Sequence, residues 1–389
     1  MEFQKLTHRR LIGAAVAAAA MAAAGLAGFA AASADAGTTP DLQTLTYTAT
    51  GPGGGLYHPV GVSAVGGKVY VSNSGANIIA AISGGTTTAF AGSLSAYGEH
   101  GDGGQASAAS LYHPGGSAVD AEGDVFIADS GDNVIREVTP DGTIKRIAGT
   151  GIAGPFHFPA SLSSLDHPQN VVVNAAGDVY IADTYNNRVL KVTPAGRVTA
   201  VAGDGTAGYS GDGRLATFAE LNEPTGVAVD AKGNLYIADS ANSVIRRVDA
   251  VTGIVTTVAG DYAADKAGGG LGGFSGDGGP ATSARLNAPQ GVAVDGAGDL
   301  FIADTFNNAI REVTPAGAIT TVVNSSAQPG GESNGAAATA SKLNTPYGVA
   351  IDSSTGDLYI ADTNNSKIAE VTGLAQSGDA AGPTAPAQS

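Results

Sequence analysis

Between residues 56 and 371 short apolar runs of four to six residues alternate with breaks of Asp, Asn, Gly and Pro. That punctuation belongs to strands and turns, because helices need longer stretches with a period near 3.6. In "PTGVAVDAKGNLYIADSANSVIRRVDAVTGIVTTVAG" the pattern predicts four strands, at 226–229, 234–238, 244–248 and 254–258. Between the first two, Asp230 opens a turn and Gly233 takes the position that needs a positive φ. Asp120 to Gly123 and Asp295 to Gly298 repeat the device. Between the third and fourth strands, Thr-Pro-x-Gly recurs at Thr139, Thr193 and Thr314; proline presets φ and glycine accepts the left-handed position. Each unit therefore reads as a four-stranded antiparallel meander.

The unit is written six times. Pro59, Pro114, Pro168, Pro224, Pro289 and Pro346 open the copies, spaced 55, 54, 56, 65 and 57 residues apart. The copies span approximately 56–92, 111–149, 165–203, 221–260, 286–324 and 343–374. Such a period signals a repeat architecture, and six meanders of this size predict an all-β, six-bladed β-propeller over 42–374. The sixth copy stops after its third strand, while "LQTLTYTAT" ahead of the first alternates like a strand. The expectation is that this N-terminal strand, about 42–50, completes the last blade. Residues 375–389 read as a disordered, polar tail.

The recurring string P-x-G-V-A-V-D-x-x-G-[DN]-[LV]-[YF]-I-A-D-[ST]-x-[ND]-[NS]-x-[IV] resembles the NHL repeat, and the resemblance covers nearly the whole region from 56 to 374. The chain has no tryptophan, which disfavours WD-repeat and YWTD propellers. The first copy departs from the string, with Ser72-Asn73 in place of Ala-Asp and a shortened first hairpin. A second motif lies between copies: "GEHGDGGQASAASL" from Gly98, "GYSGDGRLATFAEL" from Gly208 and "GFSGDGGPATSARL" from Gly273. "GESNGAAATASKL" from Gly331 is degenerate, and "GPFHFPASLSSL" from Gly154 keeps only the end. This motif resembles loops of bacterial exported NHL proteins and of the teneurin NHL domain. Its glycine cluster followed by Ala-x-x-Ala-x-Leu predicts a turn running into a short helix, with all the loops on one face as a rim.

Composition narrows the function. A hydrophobic fraction of 43% with 14% charged residues fits a large packed core. The absence of cysteine removes disulfides and thiolate chemistry. The net charge of −16 opposes binding to phosphate backbones and anionic headgroups, so no nucleic-acid partner is expected. Residues 1–34 combine basic Lys5, Arg9 and Arg10, a run rich in alanine, and Ala32-Ser33-Ala34, which together read as an export signal peptide. Arg9-Arg10-Leu11-Ile12 resembles a twin-arginine signal, with general secretion as the other route. Residues 35–41 read as a linker. The expectation is a protein secreted or otherwise extracytoplasmic, without stable membrane insertion, and a monomer.

Three features carry candidate chemistry. The pairs Asp129/Asp132, Asp183/Asn186, Asp239/Asn242, Asp304/Asn307 and Asp362/Asn365 flank the turn between second and third strands. Short Asx side chains bond nearby backbone and tolerate left-handed φ, so these read as architecture. His58, His113 and His167 occupy one repeat position just before the proline. Three imidazoles converging at the channel mouth would suit a catalytic metal, and some NHL propellers resembling this one are metal-dependent lyases. Against this, the later copies carry Glu223, Ala288 and Thr345 there. The Gly-Asp-Gly steps at Asp102, Asp212 and Asp277 lack the alternating oxygens of a calcium loop. Glu137, Glu312 and Glu370 recur on the third strand and read as a solvated face; no nucleophile-and-base constellation is present. No catalytic, cofactor-binding or metal residue is therefore assigned, and no cofactor is expected. The expected function is a non-catalytic scaffold for a protein, peptide or glycan ligand of the cell envelope or medium, bound through the inter-blade loops. The alternative is a metal-dependent lyase or hydrolase in the central channel.

Overall fold

A computed structural model describes residues 40–45, 48–49, 55–93, 98, 100–154, 164–270, 272–331 and 334–374. The stretches read as an export signal and a tail, and most of that read as a linker, lie outside the described residues. Six sheets follow one another along the chain, and within each repeat the strands are antiparallel and in sequence order. Blade four shows the plan: Pro224–Val229 innermost, then Leu235–Asp239, Val244–Val248 and Val255–Ala259 outermost. Its residues alternate between the two faces of the sheet and both faces are covered by neighbouring blades, so all five residues of Leu235–Asp239 are buried.

The apolar clusters lie between blades. Tyr70, Ile79 and Ala91 of blade one meet Val125, Ile127, Val138 and Ile144 of blade two, with Ala106, Ala109 and Leu111 of the intervening loop filling the wedge. Each fully buried Leu or Ile contributes about 1.5–3 kcal/mol. The ring closes on the same terms, with Val62, Val69, Val71 and Ile78 of blade one against Tyr359, Ala361 and Ile368 of blade six.

Blade six takes three strands from its own repeat, Pro346–Asp352, Asp357–Asp362 and Lys367–Val371. Asp41–Thr44 supplies the fourth, pairing Leu42 with Val371 and Thr44 with Ala369. The closing strand is shorter than the expected 42–50, because the segment divides. Thr48–Ala49 pairs in parallel with Thr86 and Thr87 on the outer edge of blade one. The start of the chain thus joins the outer edges of the two blades that meet at the seam, and Leu42, fully buried, fixes it in the core.

The long spacing between the fourth and fifth prolines is taken up by an insertion carrying the helix α1, Tyr262–Ala267, capped by Asp261, whose carboxylate accepts from the Ala264 N–H. Tyr262 stacks on Tyr209 of the preceding loop at 3.9 Å between ring centroids.

Candidate functional site

The first strands start, and the second strands end, on one face of the ring, as the pairings Pro168 with Asp183 and Pro224 with Asp239 show. This face, here the upper face, carries the Asp/Asn turn pairs and the histidines that the sequence offered for chemistry; the third-strand glutamates and the Gly-Asp-Gly aspartates lie away from it.

The repeated aspartate is a fastener. Asp239 Oδ1 accepts from the backbone N–H of Asn222, two residues before the opening proline, at 2.7 Å. Asp129, Asp183, Asp304 and Asp362 hold Tyr112, Asp166, Asn287 and Asn344 in the same way. The bonds therefore reach across to the incoming loop, not into the local turn. The paired asparagine completes the clamp: Asn242 Nδ2 donates to the carbonyl of Gly208 and to Asp239 Oδ2. The left-handed residue is the next one along, Asn133, Asn187, Ser243, Asn308 or Ser366, at φ between 51° and 56°.

The Gly-Asp-Gly loops are not a free rim. Asp102, Asp212 and Asp277 pair with Arg136, Arg246 and Arg311 at 2.7–2.8 Å. Each arginine is buried and also reaches the fastening aspartate of its own blade, Asp129, Asp239 or Asp304, at 3.2–3.5 Å. The loops run down the outer edge of the blade they precede. Gly213 N donates to Val255 O and Ala216 N to Gly253 O, both at 2.8 Å, with equivalents at Gly103 and Gly278. The following Ala-x-x-Ala-x-Leu buries Ala216, Ala219 and Leu221 between blades. The short helix expected there is one 3-10 turn, Ala216–Phe218. The loops cover sheet edges that would otherwise invite pairing with another chain.

Burial pushes the fastening carboxylates up: Asp239 and Asp304 to about 6, with Asp129 and Asp183 moved the same way. Loss of hydration outweighs the hydrogen bonds and the arginine charge. Burial also raises Glu312 and Glu370, which are half-buried between blades and so not on the solvated face expected.

His58, His113 and His167 sit on the upper face at φ of 53°, 46° and 49°, where the chain turns sharply into the proline. Their place is set by backbone, since His113 N and His167 N donate to Asn77 and Asn133 side chains of the preceding blade at 2.8 and 2.9 Å. His167 Nδ1 lies 2.9 Å from Asp166. The histidines are not brought together, and among the described residues no three His, Asp or Glu side chains form a metal-holding group. The axial channel holds a cavity of 190 Å³ lined by valine, alanine, isoleucine, serine and asparagine alone. Its polar side chains include Ser63 and Ser117, whose hydroxyls bond each other at 3.1 Å. That lining offers neither a general base nor a ligand set for a cation.

Beside the histidines lies a feature that the sequence reading passed over. In every blade the residue two before the proline meets the middle of the second–third turn through a backbone hydrogen bond, as Gly75 N does with Tyr57 O. In blades one and two the loop residue is tyrosine and the turn residue glycine; a Cβ on Gly75 or Gly131 would meet Tyr57 or Tyr112 Cδ1 at 2.3 Å. In blade three the pair is exchanged, with Asp166 on the loop and Tyr185 on the turn. Tyr57, Tyr112 and Tyr185 are 66%, 39% and 53% exposed. The signal was available in "LYHP" with "NSGA", "LYHP" with "DSGD", and "LDHP" with "DTYN".

The fold is a six-bladed β-propeller built from one repeat. The profile described as "Teneurin NHL domain" matches residues 93–155, 204–267 and 273–333, and that described as "NHL repeat" matches 165–192 and 343–370. The chain is an NHL-repeat β-propeller. It is similar to mouse (Mus musculus) Teneurin-4, 32% identical over 237 residues, which is 54% of this chain and 8% of that protein. It thus spans under a tenth of the length of that relative. Among solved structures, a protein of unknown function from Bacteroides thetaiotaomicron superposes with a TM-score of 0.60 at 16% identity, covering 86% of this chain and 76% of that one. A protein described as a putative gluconolactonase superposes at 0.54 and 14% identity, covering 88% and 94%. At these identities the likeness is one of fold.

Proposed function

We propose that this chain is a non-catalytic binding scaffold that holds a protein, peptide or glycan of the cell envelope or medium on its upper face. The observation that supports this reading is the channel lining. In a propeller the axis is where residues from all blades converge, and here that convergence gathers apolar side chains, two mutually bonded serines and the amide of Asn170. Groups able to make directional contacts lie instead on the upper face, on loops fixed by a rigid ring. Placement outside the cytoplasm is part of the proposal and rests on the basic, apolar and small-residue order of the first 34 residues.

The test is the metal content of the purified protein beside a variant carrying His58→Ala, His113→Ala and His167→Ala. The scaffold reading expects no bound metal and an unchanged unfolding midpoint. Near-stoichiometric zinc or calcium that the triple variant loses would overturn it and make the histidine arc a catalytic candidate.

A further inference from the structure

We infer that the upper face of blades one to three is a stacking platform for a linear, uncharged polysaccharide. The inference rests on the scaffold reading and gives it a place and a ligand chemistry. Tyr57 and Tyr112 lie against Gly75 and Gly131, which have no room for a side chain, and still present 66% and 39% of their surface to water. Such a ring has one side on backbone and the other open. Tyr185 occupies the corresponding place in blade three from the opposite strand connection, 53% exposed. A fold with one consistent use for that spot explains why the aromatic ring persists while its source switches.

Each ring has an imidazole within its own blade. The Tyr112 and His113 rings are 4.5 Å apart between centroids, and those of His167 and Tyr185 are 4.8 Å apart. Between blades one and two the face sinks into a cavity of 510 Å³ bordered by Asn77, Gly98, Tyr112, Gly131 and Asp132, whose one charge is negative. An open aromatic plane gains most from a flat partner, and the apolar C–H face of a sugar ring provides one while its hydroxyls reach imidazole and amide groups. Charge narrows the class further. No lysine or arginine stands among the loop and turn residues that build the arc, so anionic groups find no counter-charge, and the chain's net charge of −16 repels polyanions. Three consecutive blades repeat the ring and imidazole, and blade four breaks the series with Ala241 and Asn222 at the two positions. A surface repeated along an arc fits a ligand that repeats along its length.

The experiment is affinity gel electrophoresis through hydroxyethylcellulose, xylan and dextran, with pull-down on insoluble cellulose and chitin. The proteins compared are the intact chain, Tyr57→Ala/Tyr112→Ala/Tyr185→Ala, the same triple to Phe, and Phe218→Ala as an exposed ring elsewhere. The expected result is retention by at least one of these polymers, weakened about tenfold or more in the alanine triple, equivalent to about 1.4 kcal/mol. The phenylalanine triple and Phe218→Ala should keep most of the retention. Circular dichroism establishes that the triple is folded; should it not be, Tyr185→Ala alone gives the same readout. Retention by none of the polymers, or equal retention by the alanine triple, overturns the inference. Capture on polylysine that the alanine triple abolishes also overturns it, yet leaves a binding face in place. The scaffold reading itself falls only by the metal and histidine experiment.

Discussion

The hydroxyl of Thr363 in blade six donates to the carbonyl oxygen of Pro59 in blade one at 2.7 Å, across 304 positions of sequence. Thr184 and Thr305 make the same bond to Pro224 and Pro346 at 2.8 Å, and Ser130 and Ser240 make it to Pro168 and Pro289. The seam of the ring thus uses the bond that joins neighbouring blades elsewhere. Thr363→Val keeps the volume but removes the donor from a buried contact, which should cost about 1–3 kcal/mol. Thr363→Ser should lie close to the parent, since serine fills the position in blades two and four. Urea unfolding of the three proteins decides; a valine variant as stable as the parent would mean the seam is held without this bond.

The buried arginines make a stronger claim. Arg246 is fully buried between Asp239, itself fully buried, and Asp212, which is 42% exposed. Arg246→Leu, the residue that blade three carries at the equivalent Leu190, leaves Asp239 without its cation and frees the loop. The expected loss is about 3–5 kcal/mol. Asp212→Asn removes only the half-exposed partner and should cost about 1 kcal/mol or less. Equal effects in chemical unfolding would contradict this ordering.

The same arginine marks how far the sequence could be read. Blade number, strand order, turn glycines and the closing strand followed from period and punctuation, which are local properties. Arginine occurs at this third-strand position only in blades two, four and five, those whose preceding loop holds Gly-Asp-Gly. Blade one has Ala80 there and Asn73 for the fastening aspartate, losing cation and anion together. That match is present in the sequence, but its meaning depends on the loop folding down the blade edge, a contact between residues 34 apart. The histidines went the other way. Their shared repeat position suggested convergence, whereas six-fold symmetry keeps equivalent residues one blade apart unless they stand at the axis. The tyrosines escaped notice because the ring is conserved in space and not in register, supplied by the loop in two blades and by the turn in the third.

Burial of the fastening carboxylates sets a pH dependence. Asp239 and Asp304 hold their protons to about pH 6 when folded and release them near the ordinary carboxylate value when unfolded. Between about pH 4 and 6 the folded protein binds more protons, so stability falls as pH rises through that window and levels off above it. The urea midpoint should therefore increase from pH 8 to pH 5, and Asp239→Asn should flatten part of that rise. Arg246→Leu should lose less stability at pH 5 than at pH 8, because the stranded carboxylate is then neutral. A midpoint that drops on acidification to pH 5 would be incompatible with the arrangement.

Close approach of the innermost strands accounts for the glycine that follows the proline by two residues. An added Cβ at Gly291 would meet the carbonyl oxygen of Tyr347 in blade six at 2.4 Å, and one at Gly226 would meet that of Gln290 in blade five at 2.6 Å. Both obstacles are backbone, so relief requires moving one blade away from the next, and that opens the clusters between them. Gly291→Ala should therefore cost about 3 kcal/mol, the upper end of the range for overpacked cores. Gly317→Ala is the control: its added Cβ meets nothing, and only the left-handed φ of 81° opposes it, a penalty of about 1–2 kcal/mol. Blade three has Asn170 at the inner position, and its amide lies against Gly116, where a Cβ would meet Nδ2 at 2.5 Å. Gly116→Ala should then be milder than Gly291→Ala, since a side chain yields more readily than backbone. Thermal unfolding of the three alanine variants tests the order, and a Gly291→Ala protein as stable as Gly317→Ala would show that the blades are free to separate at the axis.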